Sequence, residues 1–341
     1  MKSFRRISSA AIRATAACLT LSAFAGIQEA GAVDTHYTSS WPVGLTAFNG
    51  KLWLAWHNAG SIGPTEDIWI ASSPDGVTWT VQKTIYGTGK WLHAIDYGIN
   101  LAVFNNTLYM AYSDIHDIVY NSSTDGTTWA TPTPFLTTGA FNQTSGNVAI
   151  ASTSGTQLAP QLMIAWNGVD AARTLNVGCI ACNGVAFGSK YVASGIPSYS
   201  APSMTTIGGN FIVAFQRGTT NTGPMQLFVS NESNPLAIAQ ENNGISNSNV
   251  AGPGVAGVSG VLYLGWPGPD TSKATNLASY QITTGGSGGI TAATLLSSGQ
   301  EPAGQLTITN PTLAQFNGHL YYAWVGTNAT GYGNINVDEI F

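Results

Sequence analysis

Four carboxylates stand in polar segments that interrupt short apolar runs: Asp96, Asp114, Asp117 and Glu301. Two such groups, one protonated and one ionised, held at a fixed separation, are what glycoside hydrolysis requires. For any one of them alone, a turn-forming or solvated acid is the plainer reading. Other side chains in the same kind of segment suit binding. The stretch GTGKWLHAIDYGIN, residues 87 to 100, carries Trp91, His93 and Tyr97. An indole face among polar groups is a platform for a sugar ring. His57 and Arg217 follow closely on Trp56 and Phe215 in similar positions. Ligand contacts are therefore expected from Trp91, His93, Tyr97, His57 and Arg217. His116 lies between Asp114 and Asp117, but no second cluster completes a metal site. No metal ligand and no cofactor is expected, with calcium the one ion left open.

Cys179 and Cys182 are the only cysteines beyond residue 32. A C-x-x-C pair can be a redox couple or half a zinc site. No second half exists, so a local disulfide is expected. It closes a very short loop and contributes little chain entropy.

The elements that must position these residues repeat. LTAFNGKLWLAW, ending at Trp56, returns as LAVFNNTLYMAY (Tyr112), LAPQLMIAW (Trp166), MTTIGGNFIVAF (Phe215), VAGVSGVLYLGW (Trp266) and LAQFNGHLYYAW (Trp324). The closing aromatics are 56, 54, 49, 51 and 58 residues apart. A near-constant period of this size marks a repeat architecture. Within a period, apolar runs of about five residues alternate with Asn-Gly or Asp-Gly turns, the signal for antiparallel strands. Four strands per repeat, arranged radially, predict an all-β fold: a six-bladed β-propeller of four-stranded antiparallel blades. The last repeat ends 17 residues after Trp324, one strand short. The segment DTHYTSSW from Asp34 is expected to supply that strand and close the ring. Trp56, Trp166, Trp266 and Trp324 share one repeat slot and are expected in the packing. Trp41 and Trp91 fall outside repeated slots.

In this topology the Asn-Gly and Asp-Gly turns share one face. The loops after the second strands, and the connections between blades, share the other. Those loops differ from blade to blade, so one asymmetric site near the axis is expected rather than six equal ones.

Residues 1 to 32 read as an export signal. Lys2, Arg5, Arg6 and Arg13 precede an apolar stretch, and Ala30-Gly31-Ala32 offers a small-residue cleavage site after Ala32. Residues 33 to 341 are expected to form a single propeller domain, secreted and extracellular, or periplasmic in a Gram-negative source. Beyond residue 32 the chain keeps seven basic and fifteen acidic side chains, a net charge of −8. Such a surface is a poor partner for nucleic acid or anionic membrane. Only 8% of the whole chain is charged, so neutral polar groups dominate its hydrogen bonding. A glycan or polysaccharide is the expected partner, with no membrane insertion and a monomeric state.

SSPDGVTW (residues 72 to 79) and SSTDGTTW (residues 122 to 129) resemble the Asp-box of sialidase-like (BNR-repeat) β-propellers, although Asp and Gly are adjacent here and one residue apart in the usual box. The resemblance implies the propeller fold. It also implies what a sialidase would need: three arginines clamping the substrate carboxylate. Beyond residue 32 only Arg173 and Arg217 exist, and Trp41-Pro42 stands where an Arg-x-Pro motif would open the first blade. Lysine is no substitute in a bidentate clamp, so true sialidase chemistry is not expected. The leading expectation is a carbohydrate-binding, lectin-like propeller, with enzymatic activity left open. The alternatives are a non-sialidase glycoside hydrolase or lyase, and an adhesion or scaffold propeller without a small-molecule site.

Overall fold

The computed structural model describes residues 33–58, 67–85, 97–114, 117–135, 143–153, 161–182, 190–218, 225–230, 237–240, 252–268, 273–284, 290–302, 305–307, 309–326 and 333–341. Strand β1 is Val33–Ser39. Blade one holds β2 (Gly44–Phe48), β3 (Lys51–His57), β4 (Ile68–Ser73) and β5 (Thr80–Ile85). Blade two holds β6 (Asn100–Phe104), β7 (Thr107–Asp114), β8 (Asp117–Ser123) and β9 (Thr133–Pro134). Blade three holds β10 (Ala149–Thr153), β11 (Gln161–Asn167), β12 (Thr174–Cys182) and β13 (Lys190–Pro197). Blade four holds β14 (Ser203–Ile207), β15 (Asn210–Gln216), β16 (Met225–Ser230) and β17 (Ala237–Gln240). Blade five holds β18 (Gly254–Val258), β19 (Val261–Pro267), β20 (Thr275–Thr284) and β21 (Ile290–Gly299). Blade six holds β22 (Thr312–Phe316), β23 (His319–Val325) and β24 (Gly333–Glu339), with β1 as its outer strand.

All six sheets are four-stranded and antiparallel. The innermost strands β2, β6, β10, β14, β18 and β22 touch in succession and close the circle from β22 to β2. This is the propeller that the aromatic period predicts, with the N-terminal strand completing the last blade.

The closing aromatics explain the period. Trp56, Trp166 and Trp324 are almost wholly buried, as are Tyr112 and Phe215. Each lies near the end of its blade's second strand, in the apolar layers that join neighbouring blades. Side chains also tie the inner strands together. The Asn100 side-chain amide donates to the Val148 carbonyl at 2.8 Å, and the Gly257 N–H donates to the Thr205 hydroxyl at 3.0 Å.

The two Ser-x-Asp-Gly turns share one architecture. The Ser73 hydroxyl donates to Asp75 and accepts the Gly76 N–H; Ser123, Asp125 and Gly126 repeat the pattern. Backbone N–H groups of Thr78 and Val77 hold the Asp75 carboxyl below its usual range. Those of Thr128 and Thr127 do the same for Asp125. Each turn docks under an aromatic ring of the preceding blade: Gly76 under Tyr321, and Gly126 under Trp53.

Cys179 and Cys182 form a disulfide within β12. It spans the bulge at Ile180, where the register against β11 shifts between Leu162 and Met163.

Candidate functional site

Two hollows lie along the propeller axis. The first, about 220 Å³, is walled by three residues from each inner strand, such as Leu45–Ala47 and Leu101–Val103. The second, about 270 Å³, opens on the face where the inner strands begin. Its walls come mainly from the connections between blades.

A repeated local device brings those connections to the axis. In four of them a hydroxyl donates to the carbonyl two residues on: Ser39 to Trp41 (2.9 Å), Thr144 to Gly146 (2.9 Å), Ser198 to Ser200 (2.8 Å) and Thr307 to Thr309 (3.0 Å). Such a turn satisfies backbone groups inside a packed loop without a strand partner. Small residues then allow close approach. A Cβ at Gly98 would collide with the Pro42 carbonyl, and one at Gly252 with the Ala201 carbonyl. The Ile99 N–H donates to the Pro42 carbonyl at 3.2 Å, joining the first two connections.

The cavity has two aromatic sides and an amide lining. Trp41 and Tyr97 meet edge to face, with ring centres 6.1 Å apart. Across from them in chain order, Arg173 lies over the Tyr199 ring at 4.9 Å. Asn147, Asn167, Asn310, Ser200 and Thr309 also line the cavity, and part of their hydrogen-bonding capacity is spent on backbone: Asn310 accepts from the Gly252 N–H and donates to the Ala201 carbonyl, and Asn147 accepts from the Val148 N–H. No carboxylate is among the described residues that line the space. Half-buried rings beside neutral polar groups suit a polyhydroxylated molecule, and the described lining offers no acid–base pair.

The sequence-predicted residues are dispersed. Tyr97 lines the axial cavity. His57 ends β3 and is buried. Arg217 follows β15, is half-buried and bridges Ser198, and it is not among the described residues that line the cavity. Asp114 is buried at the end of β7, and its register partner Asp117 is exposed. Glu301 is half-buried before Pro302, in the connection from blade five to blade six. None of these three acids lines the axial cavity. Trp91, His93, Asp96 and Ala32 lie outside the described residues. Among the described residues, no group of three or more His, Cys, Asp or Glu side chains is arranged to hold a metal ion. No helix among them is long and apolar enough to cross a membrane.

Sequence reasoning passed over Arg173, Tyr199 and the three asparagines as site residues. A signal for some of them existed: a Ser or Thr five residues before the inner strand recurs at Ser39, Thr144, Ser198 and Thr307, in four of the six blades, and precedes Asn147, Tyr199 and Asn310. It marks which loop residues are turned toward the axis.

His57 carries a pH dependence. Burial lowers its pKa from 6.5, and nearby Asp67 opposes that only in part. The native state thus resists a proton that the unfolded chain accepts. The stability this group contributes is complete above about pH 6.5 and is lost as pH falls through the lowered native value. His57→Gln should flatten part of the decline in urea midpoint between neutral and mildly acidic pH. Equal slopes for variant and parent would show that His57 is not the titrating group.

No protein-family model and no curated protein sequence matches the chain. Solved structures do match by shape. The chain is similar to Penicillium chrysogenum alpha-L-arabinanase, solved with arabinobiose, at TM-score 0.61 and 16% identity over 91% of this chain and 96% of that one. It is similar to Trypanosoma rangeli sialidase at TM-score 0.55 and 12% identity, over 90% of this chain but 55% of that longer one. It is similar to the Aleuria aurantia lectin, solved with alpha-methyl-L-fucoside, at TM-score 0.52 and 10% identity, over 90% and 97% of the two chains. Identities this low speak for architecture alone, and that architecture is a six-bladed β-propeller.

Proposed function

We propose that this protein is a secreted carbohydrate-binding propeller, with residues 1 to 32 its export signal and the axial cavity its one ligand site. The observation that carries this reading is the cavity lining: the Trp41–Tyr97 pair, three asparagines and an arginine, with no carboxylate among the described lining residues. Sugars present both apolar ring faces and dense hydroxyls, and this lining answers both. Support also comes from its neighbours in shape, which include an arabinanase, a sialidase and a lectin.

The test is a glycan array probed with the chain from Val33 onward, with and without a chelator, followed by product analysis on every hit. Binding without turnover supports the reading, and a chelator effect would bring calcium in. Turnover would replace it with the hydrolase or lyase alternative and make Asp96, Asp114, Asp117 and Glu301 the next targets. An array with no hit would leave an adhesion or scaffold propeller.

Trp41→Ala should weaken binding of any hit by roughly tenfold or more, as loss of an aromatic anchor does. Trp41→Phe should keep most of the affinity. Trp41 is only half-buried, so thermal unfolding of both variants should stay close to the parent's. Unchanged affinity in Trp41→Ala would move the site away from the axial cavity.

A further inference from the structure

Both arginines beyond residue 32 meet the same short stretch of chain, Pro197–Tyr199. The Ser198 N–H donates to the Arg173 carbonyl at 2.9 Å, and Ser198 also pairs with Arg217 in an isolated antiparallel bridge. On one side, Arg173 Nη1 donates to the Tyr199 carbonyl at 3.1 Å, and its guanidinium lies over the Tyr199 ring. On the other, the Gly218 N–H donates to the Pro197 carbonyl at 3.1 Å, and Arg217 Nη1 reaches Gln226 Oε1 at 3.4 Å. Blade three's loop thus sets its guanidinium on this connection, while blade four's loop meets it through backbone and turns the Arg217 guanidinium to Gln226 behind it.

The surroundings make this pairing informative. The chain beyond residue 32 has about two acids for every base, so a stray arginine has ample choice of counter-ions. Among the described residues, neither guanidinium has a carboxylate within ion-pair distance. The acid nearest Arg173 in sequence, Asp170, gives one oxygen to the Thr174 N–H and the other to the Thr174 hydroxyl. Arg173 is instead held by an aromatic face and a carbonyl. That support fixes its plane without neutralising its charge. One of its five N–H groups is spent on Tyr199, and the residue lines a cavity that holds no described acid.

We propose that this wall is a subsite for an anionic sugar unit, one bearing a carboxylate or a sulfate ester. Arg173 is the contact residue, and Arg217 adds positive potential behind the Pro197–Tyr199 connection. The inference rests on the carbohydrate-binding reading above and adds the charge of the ligand to it. One guanidinium on the connection with a second behind it differs from a three-arginine clamp, in which guanidinium groups converge on one carboxylate. The net negative charge elsewhere disfavours long polyanions, so short oligosaccharides or chain ends suit the site.

The experiment titrates the chain from Val33 onward with four tetrasaccharides: a galacturonate, its full methyl ester, a sulfated galactan and a neutral galactan. The acid or the sulfate should bind at least roughly tenfold tighter than its neutral counterpart, with an advantage that shrinks as salt is raised. Whichever anion wins identifies the source of the charge. Arg173→Met should erase the advantage of the anion over its neutral counterpart, and Arg173→Lys should keep part of it. Should Arg173→Met fail to fold, Arg217→Met and the acid-against-ester comparison on the unaltered protein carry the test. Equal affinity for acid and ester, with no preference for sulfate, would overturn the inference and leave the carbohydrate reading standing. So would hits confined to neutral glycans elsewhere on the array. Failure to bind any glycan would remove both.

Discussion

A chain that begins at Ser40 should lose its cooperative fold, or retain it with a melting temperature lower by roughly 10 °C or more. The strand removed, β1, is the outer edge of blade six. Its register pairs Val33 with Val337, Asp34 with Asn336, Thr38 with Asn334 and Ser39 with Gly333. The Thr35 hydroxyl donates to the Ile335 carbonyl at 2.7 Å, and the Asn334 amide donates to Asp34 at 3.0 Å. Tyr37 then stacks on Trp56 of blade one, with ring centres 4.6 Å apart and planes inclined by 20°. The strand thus belongs to blade six by hydrogen bonding and to the blade six–blade one seam by packing. At about 1 kcal/mol for each backbone bond and about 1 for the stacked pair, the loss is on the order of 5 kcal/mol. That is comparable to the whole net stability of an ordinary domain.

Deletion also leaves β24 as an unpaired edge, which invites association between copies. Thermal unfolding and size-exclusion chromatography measure the two effects together. A control separates lost contacts from chain shortening. Because β1 runs antiparallel to β24, the same seven residues placed after Phe341 through a tight turn can refill the slot. That permuted chain should recover most of the lost stability. A truncated chain that melts within about 2 °C of the parent would mean that the ring does not depend on this closure.

How legible this was in the sequence depends on the kind of residue. The closing aromatics announce themselves because one physical demand, filling the space between blades, recurs six times with large side chains. The same argument sorted the tryptophans: Trp56, Trp166 and Trp324 lie in the repeated slot and are buried, while Trp41 lies outside it and reaches the axial cavity. The missing fourth strand of the final repeat pointed to the N-terminal segment through simple counting of strands. The axial lining was harder to read. Asn147, Asn167 and Asn310 are ordinary loop residues by type; only the threonine turn three residues earlier sets Asn147 and Asn310 apart, and Asn167 has no such mark. Arg173 depends on a rare left-handed residue, with φ of 49°, and on a tyrosine 26 positions later. Loop-to-loop convergence of this kind has no period to reveal it. The carboxylates Asp114, Asp117 and Glu301 show the converse. Their chemistry suggested a pair, but the topology assigns the first two to one hairpin in blade two and the third to the connection before blade six.

Gly126→Ala should destabilise the protein by about 3 kcal/mol, far more than the addition of one methyl group implies. Two costs add. Gly126 has φ of 79°, a left-handed conformation that costs an L-residue about 1–2 kcal/mol. A Cβ there would also fall inside the Trp53 ring of the preceding blade, and overpacking of that kind costs about 1–3 kcal/mol. The ring cannot easily yield, since the Trp53 indole N–H donates to the Phe48 carbonyl at 2.9 Å and the side chain is buried. Gly50 provides the comparison. Its φ is 68°, yet a Cβ at that position meets nothing within 4 Å. Gly50→Ala should therefore show the conformational cost alone, about 1 kcal/mol. Urea unfolding of both variants isolates the packing part by difference. Combining Gly126→Ala with Trp53→Phe tests its cause: the smaller ring leaves room for the methyl group, so the double variant should be more stable than the two separate losses predict. Equal destabilisation by Gly126→Ala and Gly50→Ala would show that the turn of blade two does not rest on Trp53. It would also remove the argument that each Ser-x-Asp-Gly turn locks its blade to the one before.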